Sequence, residues 1–341
     1  MTGNTTHRFT NTAILATSSI DATEVITSDA LDARLGDTYE RVGLRPGLLE
    51  RLVGIKERRW WADGVTFVDG AAAAGSKAIA ESGVDPADIG LMVNTSVSRR
   101  YLEPATAVAV HDAIGLSTSC QNFDVTNACL GFVNGMEIAA AMIDAGLCRY
   151  ALVVDGEDAR GVQEACIERL LDPTVTSKDV MSQFATFTLG SGAAAMVLGR
   201  ASDHPEGHRL VASVSRAGTE HHDLCIGDNT MMQTDLKGLL DAGLALSGDL
   251  WAEAGEEFDW SAGMDRYILH QVSVVHTKAL CVQLGIDQDR APLTFPERGN
   301  IGPVSVPYTL ASQTDSLERG DRVLLMGIGS GLNAACLEIA W

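Results

Sequence analysis

A chain of 341 residues is too long for one small core and points to two domains or one duplicated unit. Its 46% hydrophobic and 21% charged content suits a folded globular protein rather than a disordered one. With 45 acidic against 25 basic side chains the formal charge is −20, which disfavours nucleic acid and anionic membranes as partners.

In chain order, the polar residues 1–8 are expected to fray. Short apolar or β-branched runs predict strands at 11–19, 91–96, 122–125, 150–155 and 192–198. Between them helices are expected at 70–81, 105–113 and 129–145, stopped by Gly83, Gly115 and Gly146. The stretch Gly70 to Lys77 has the look of a phosphate loop, but its Ser76 and Lys77 stand in the wrong order and it reads as helix. The second half repeats the order, with a strand at 210–215, a helix at 235–254, a strand at 266–269 and a helix at 274–284 before Gly285. A short strand at 291–295, a helix reaching about 316 and strands at 322–326 and 332–339 complete it. This is an α/β protein of two βαβαβαββ halves, 1–200 and 201–341. Residues 157–187 have no counterpart and read as an insertion that caps the site or a dimer surface.

Seven irregularly spaced cysteines without a C-x-x-C pair fit a reducing cytoplasm. No apolar run approaches the ~18 residues of a membrane span, so a soluble cytoplasmic protein is expected. Cys129 follows a strand and is expected on the first turn of the next helix, where free N–H groups favour thiolate and can hold an oxyanion. Position alone leaves it either a nucleophile or a small buried apolar residue. His270 ends the strand Tyr267-Ile268-Leu269, and Asn300 sits in Gly299-Asn300-Ile301-Gly302-Pro303 before a helix. If the halves are related by a pseudo-twofold, Cys129 and Asn300 open facing helices and all three residues lie at strand carboxyl ends, where α/β sheets bind ligands.

These segments, Asn127-Ala128-Cys129-Leu130-Gly131-Phe132, Ile268-Leu269-His270-Gln271-Val272-Ser273 and Gly299 to Pro303, resemble in order and separation the Cys-His-Asn triad of the 3-oxoacyl-ACP synthase III group of the thiolase superfamily. The ending Gly327-Ile328-Gly329-Ser330-Gly331-Leu332-Asn333 resembles that group's glycine-rich loop. Asn94 to Arg99, Tyr101-Leu102-Glu103-Pro104 and Val153 to Glu157 are most similar to its OleA branch, which joins two long fatty acyl-CoA molecules head to head.

The resemblance implies a thiolase fold in five αβαβα layers and a homodimer without resident cofactor or metal. It implies Cys129 as the acyl acceptor, His270 and Asn300 as enolate stabilisers, and the Cys129 and Ser330 N–H groups as an oxyanion hole. It further implies that Glu103 acts as base in the partner's site; alone, that residue is equally a helix-start charge before Pro104. The implied product is a 2-alkyl-3-oxo acid, passed to β-keto acid-processing enzymes. The alternatives are decarboxylating condensation with a malonyl thioester and a partner subunit of a heterodimeric synthase. Gly54 to Trp61 resembles the group's CoA mouth, with Arg58 and Arg59 meeting phosphates and Trp60 stacking; the same residues equally suit a charged loop anchored by core tryptophans.

Overall fold

The computed structural model describes residues 5–261 and 263–341. Ten strands share one mixed sheet. On one side the order is Gln121–Asp124, Ile89–Asn94, Tyr150–Glu157, Gly192–Arg200, Thr12–Asp21. It continues through His208–Ala217, Asn333–Ala340, Arg322–Gly329 and Arg266–Leu269. Read outward from the middle, each side runs first strand, last strand, penultimate strand, second strand, so one half mirrors the other. The halves touch where Ala13 pairs with Arg209 and Ile14 with His208.

Helices Phe67–Ser82 and Thr106–Ile114 cover the outer face of the first half, and Leu236–Ala254 with Val274–Leu284 cover that of the second. Between the two sheet halves lie Gly131–Asp144 and Ser305–Ala311, whose side chains join a core drawing on both: Phe132, Val133, Met136, Val306 and Leu310 against Leu91, Val153, Leu325 and Leu337. The result is the αβαβα layering. Each such side chain buried contributes about 1.5–3 kcal/mol, so the central helices cannot shift without cost.

Helix Phe67–Ser82 begins at a reciprocal cap between Thr66 and Asp69 and ends at left-handed Gly83. The Gly70 to Lys77 stretch lies inside it, and its glycines serve close packing: a Cβ on Gly70 would stand 2.4 Å from the Trp61 ring.

Several expectations need correction. Thr5–Arg8, expected to fray, is a strand paired with residues 212–215; the rest of that expectation, at 1–4, lies outside the described residues. The strand expected at 291–295 is irregular chain leading into the short helix Phe295–Arg298. There Pro292 cannot donate to a ladder, and Gln271 takes up the backbone instead. Helices at Ser28–Arg34, Gly36–Val42 and Leu49–Val53 were not expected. They pack with Arg160–Leu170 of the 157–187 segment through Leu31, Tyr39, Ile167 and Phe187.

Candidate active site

Asn127 to Leu130 form a tight turn between the strand Gln121–Asp124 and the helix Gly131–Asp144. Ala128 holds a left-handed φ of 46°, costing a non-glycine residue roughly 1 kcal/mol or more. The helix therefore begins two residues after Cys129 rather than on it. Glycine at 131 lets the helix approach Thr95, whose carbonyl oxygen is 2.9 Å from where a Cβ would stand. The Cys129 thiol is pushed up by burial first, then by Glu157, Cys225 and Asp155, against a lowering backbone hydrogen bond. The direction is thus the reverse of the depression expected from a helix start: enclosure and two carboxyl groups raise the thiol pKa.

His270 leaves the strand Arg266–Leu269 with its N–H donated to the Met326 carbonyl at 2.7 Å. It is buried, and its Nδ1 has no partner. Burial, then His276, lowers its pKa to about 3, while a backbone hydrogen bond at Gly302 opposes the shift. The ring is neutral across the physiological range. Asn300 is fixed by its N–H to Thr188 O at 2.7 Å and by its carbonyl, which accepts from Gly190 N at 2.9 Å. Its Oδ1 accepts from Gly302 N at 3.0 Å, which aims the amide NH2 away from that loop. Gly190 must be glycine: a Cβ there would meet the Arg298 carbonyl oxygen at 1.9 Å.

The strand Arg322–Gly329 gathers these pieces. Met326 holds His270, Gly327 lies under Leu130 with room for no Cβ (2.5 Å to Cδ1), and a Cβ on Gly329 would be 2.5 Å from Asn127 O. Gly302 links His270 and Asn300 from the other side. A chain of amides fixes the turn: Asn333 Nδ2 donates to Asn127, Asn127 to Asn134, and Asn134 to Glu137, at 3.2, 2.9 and 2.9 Å. Ser330 follows Gly329 at the start of the turn into the last strand.

Two carboxyl groups lie beneath this arrangement without having been singled out as functional. Asp155 takes the Thr95 hydroxyl at 2.5 Å; Glu157 accepts Val97 N at 2.6 Å, and Ser98 N and Oγ at 3.1 and 2.6 Å. Burial, then Glu157, raises Asp155 well above the carboxylate range. Burial also raises Glu157, against the lowering donors of Ser98 and Val97. The signal was present in the sequence: two acids two residues apart, closing an otherwise apolar strand, fall on one face by the period of the strand. Gln271 is a second residue not foreseen, its side chain bridging Pro292 O, Thr294 N and Phe295 N, so that the His270 end of one strand is tied to the segment before Asn300.

Among the described residues Glu103 has no hydrogen bond to Cys129, His270 or Asn300. It lies on an exposed loop whose neighbours Tyr101 and Leu102 are 58% and 100% exposed. The CoA-mouth assignment needs correction for two residues. Arg58 is 0% exposed, with its two terminal guanidinium nitrogens donating to Ile26 O, Ser28 Oγ and Phe187 O. Trp60 is buried, its ring N–H on Gln163. Strand Glu57–Trp60 alternates, and both point inward; neither can meet CoA. Arg59, on the other face, pairs with Glu57 at 2.7 Å. Among the described residues no helix is long and apolar enough to cross a membrane.

A buried neutral histidine makes a pH prediction. Its folded pKa lies below its unfolded 6.5, so between about 6.5 and 3 the unfolded chain binds a proton that the folded one refuses. Stability is lost as pH falls through that window, by up to ~1.4 kcal/mol per pH unit. Urea midpoints at pH 6.5 and 5 should therefore converge for His270→Asn relative to the unchanged protein; an unaltered pH dependence would show that His270 is not buried neutral.

Two family models match the chain: 3-oxoacyl-[acyl-carrier-protein] synthase III over residues 123–218, and the C-terminal part of the same synthase over 261–341. An acyl-CoA:acyl-CoA alkyltransferase of Xanthomonas campestris pv. campestris is 42% identical over 98% of this chain and 99% of that protein. Another, from Shewanella oneidensis, is 36% identical over 93% and 95%. A β-ketoacyl-[acyl-carrier-protein] synthase III of Streptomyces coelicolor is 28% identical over 93% of each. Among solved structures, Xanthomonas campestris OleA with bound lauric acid and lauroyl-CoA superposes with a TM-score of 0.95, covering 98% of this chain and 100% of that one at 42% identity. The same enzyme bound to cerulenin gives 0.96, covering 98% of each at 42% identity.

Proposed function

Because this chain belongs to the 3-oxoacyl-ACP synthase III family of thiolase-fold condensing enzymes, we propose that it joins two long-chain fatty acyl-CoA molecules head to head by non-decarboxylative Claisen condensation. The observation that carries this reading is the near full-length 42% identity to an acyl-CoA:acyl-CoA alkyltransferase. The Glu103 loop, firmly held at both ends and apolar at its exposed tip, supplies the base such a reaction needs.

The Cys129 sulfur attacks the first thioester, a new C–S bond forms, and CoA departs as its thiol with the cysteine proton. The second acyl-CoA sits with its carbonyl facing neutral His270 and the Asn300 amide, both donors. Glu103 of the partner subunit removes the α-proton, and the enolate charge falls on the carbonyl oxygen held by those donors. The enolate carbon attacks the Cys129 thioester, the C–C bond forms, and the cysteine thiolate leaves. The N–H groups of Cys129 and Ser330 carry the oxyanion of each attack. Hydrolysis of the remaining thioester gives CoA and a 2-alkyl-3-oxo acid, the substrate of downstream β-keto acid-processing enzymes.

We read the chain as a cytoplasmic homodimer of two-half subunits, 1–200 and 201–341. The strand Gln121–Asp124 ends the sheet with one side unpaired, which favours such a dimer. Purified protein given only myristoyl-CoA should release CoA continuously and yield the 2-alkyl-3-oxo acid, or the ketone formed from it by loss of CO2. Release that stalls at one CoA per site until a malonyl thioester is added would assign the decarboxylating reaction instead.

A further inference from the structure

The loop that carries Glu103 is held from the floor of its own active site. Glu157 closes the strand Tyr150–Glu157, and its Cγ lies 3.5 Å from where a Cβ on Gly302 would be, beside the Asn300 loop. Its carboxylate is close enough to the Cys129 thiol to raise that thiol's pKa. The same carboxylate accepts from the entry to the loop, at Val97 N, Ser98 N and Ser98 Oγ, and also pairs with the Asp155 carboxyl. Ser98 Oγ also accepts from Asp158 N at 2.9 Å, and Ser96 Oγ from Gly156 N at 3.1 Å, so residues 96–98 are fastened along 156–158.

Beyond this clamp, Asp124 holds Arg99 at 2.6 Å and the N–H groups of Thr106 and Ala107 at 2.9 and 2.8 Å. Residues 100–104 between the two anchors make no hydrogen bond to the rest of the described chain. The loop that carries Glu103 is thus anchored at its two ends, at 97–99 and at 106–107. Three donors converge on Glu157, and only a carboxylate accepts them all; an amide would turn its NH2 toward the N–H or hydroxyl of Ser98.

We propose that Glu157 is a positioning residue acting across the dimer: from the floor of its own Cys129 site it shapes the loop 97–105 that delivers Glu103 to the partner's site. The inference rests on the reading of Glu103 as a base acting in the partner subunit. It makes each site a support for the base of the other, so that a change at one Glu157 is felt at the opposite Cys129.

Heterodimers assembled from two differently tagged chains, given myristoyl-CoA, test it. In the first, one chain carries Glu157→Gln together with Cys129→Ala and the other is unchanged; the working cysteine then draws its base from the altered chain. Condensation should fall on the order of 10²-fold, as for a misplaced reacting group. In the second, one chain carries Glu157→Gln and the other Cys129→Ala; the working cysteine draws its base from an intact loop and loses only the effect of Glu157 on its own thiol, so against a Cys129→Ala/unchanged heterodimer the loss should be far smaller than in the first. Ser98→Ala in place of Glu157→Gln should give the same pattern with less disturbance of the buried pair. The reverse pattern would assign Glu157 to its own site, equal loss in both would make it merely structural, and no loss in either would remove its role. A heterodimer with Glu103→Ala and Cys129→Ala on one chain separates the premises. If it condenses normally, the reading of Glu103 falls and this inference with it; if it is inactive while the first heterodimer stays active, only the role of Glu157 falls.

Discussion

Replacing Glu103 by alanine is expected to stop condensation while each site still releases one equivalent of CoA. In the proposed mechanism, acylation of Cys129 needs only the cysteine, the first acyl-CoA and the oxyanion donors, none of which involves Glu103. Enolate formation is different, because the α-proton of an acyl thioester is weakly acidic and its removal needs a positioned base. Asp155 and Glu157 are occupied by Thr95 and by the Val97–Ser98 entry to the loop. Loss of a positioned base costs about 10²–10⁴-fold. The substitution is a clean test, since Glu103 is exposed and surface changes of this kind usually stay within about 0.5 kcal/mol of neutral stability. Free CoA measured with a thiol reagent should plateau near one per site, and the Cys129 peptide should carry the mass of one acyl group. Continued turnover with formation of the 2-alkyl-3-oxo acid would remove Glu103 from the mechanism.

The parts of this site that were legible in the sequence are those set by chain order. A cysteine after a strand, a histidine at a strand end and an asparagine before a helix need only the order of elements to be placed; along one strand Met326 O accepts the His270 N–H, while Gly327 and Gly329 lie against Leu130 and Asn127. What was not legible depends on side-chain direction or on loop closure. Arg58 reads as a free cation until strand Glu57–Trp60 is seen to bury alternate residues, turning it onto the carbonyls of Ile26 and Phe187. The segment at 291–295 has the apolar content of a strand, but Gln271 captures its backbone groups and leaves none for a ladder. The helices between 28 and 53 have weak patterns of their own and are stabilised by Tyr39, Ile167 and Phe187 from distant parts of the chain. The helix after Cys129 was placed two residues early because nothing local announces that Ala128 adopts a left-handed conformation.

Cys129→Ala should abolish CoA release from any single acyl-CoA, a loss on the order of 10⁶-fold if the site behaves as other covalent catalytic units do. The electrostatics around the sulfur add a sharper expectation. Burial, Glu157, Cys225 and Asp155 all raise the thiol pKa, and the helix that follows begins too late to offset them. The direction of the shift makes the thiol the expected resting form at neutral pH. The thiolate fraction is smaller than for a free cysteine at neutral pH and keeps rising, tenfold per unit, beyond the ordinary cysteine value of about 8.5. Alkylation of Cys129 by iodoacetamide, read by peptide mass, should climb with unit slope from about pH 7 to beyond that value without levelling. A plateau below it would mean that the site holds thiolate at rest. The turn at Ala128 would then be placing the sulfur under the helix N–H groups more effectively than the two carboxyl groups oppose it.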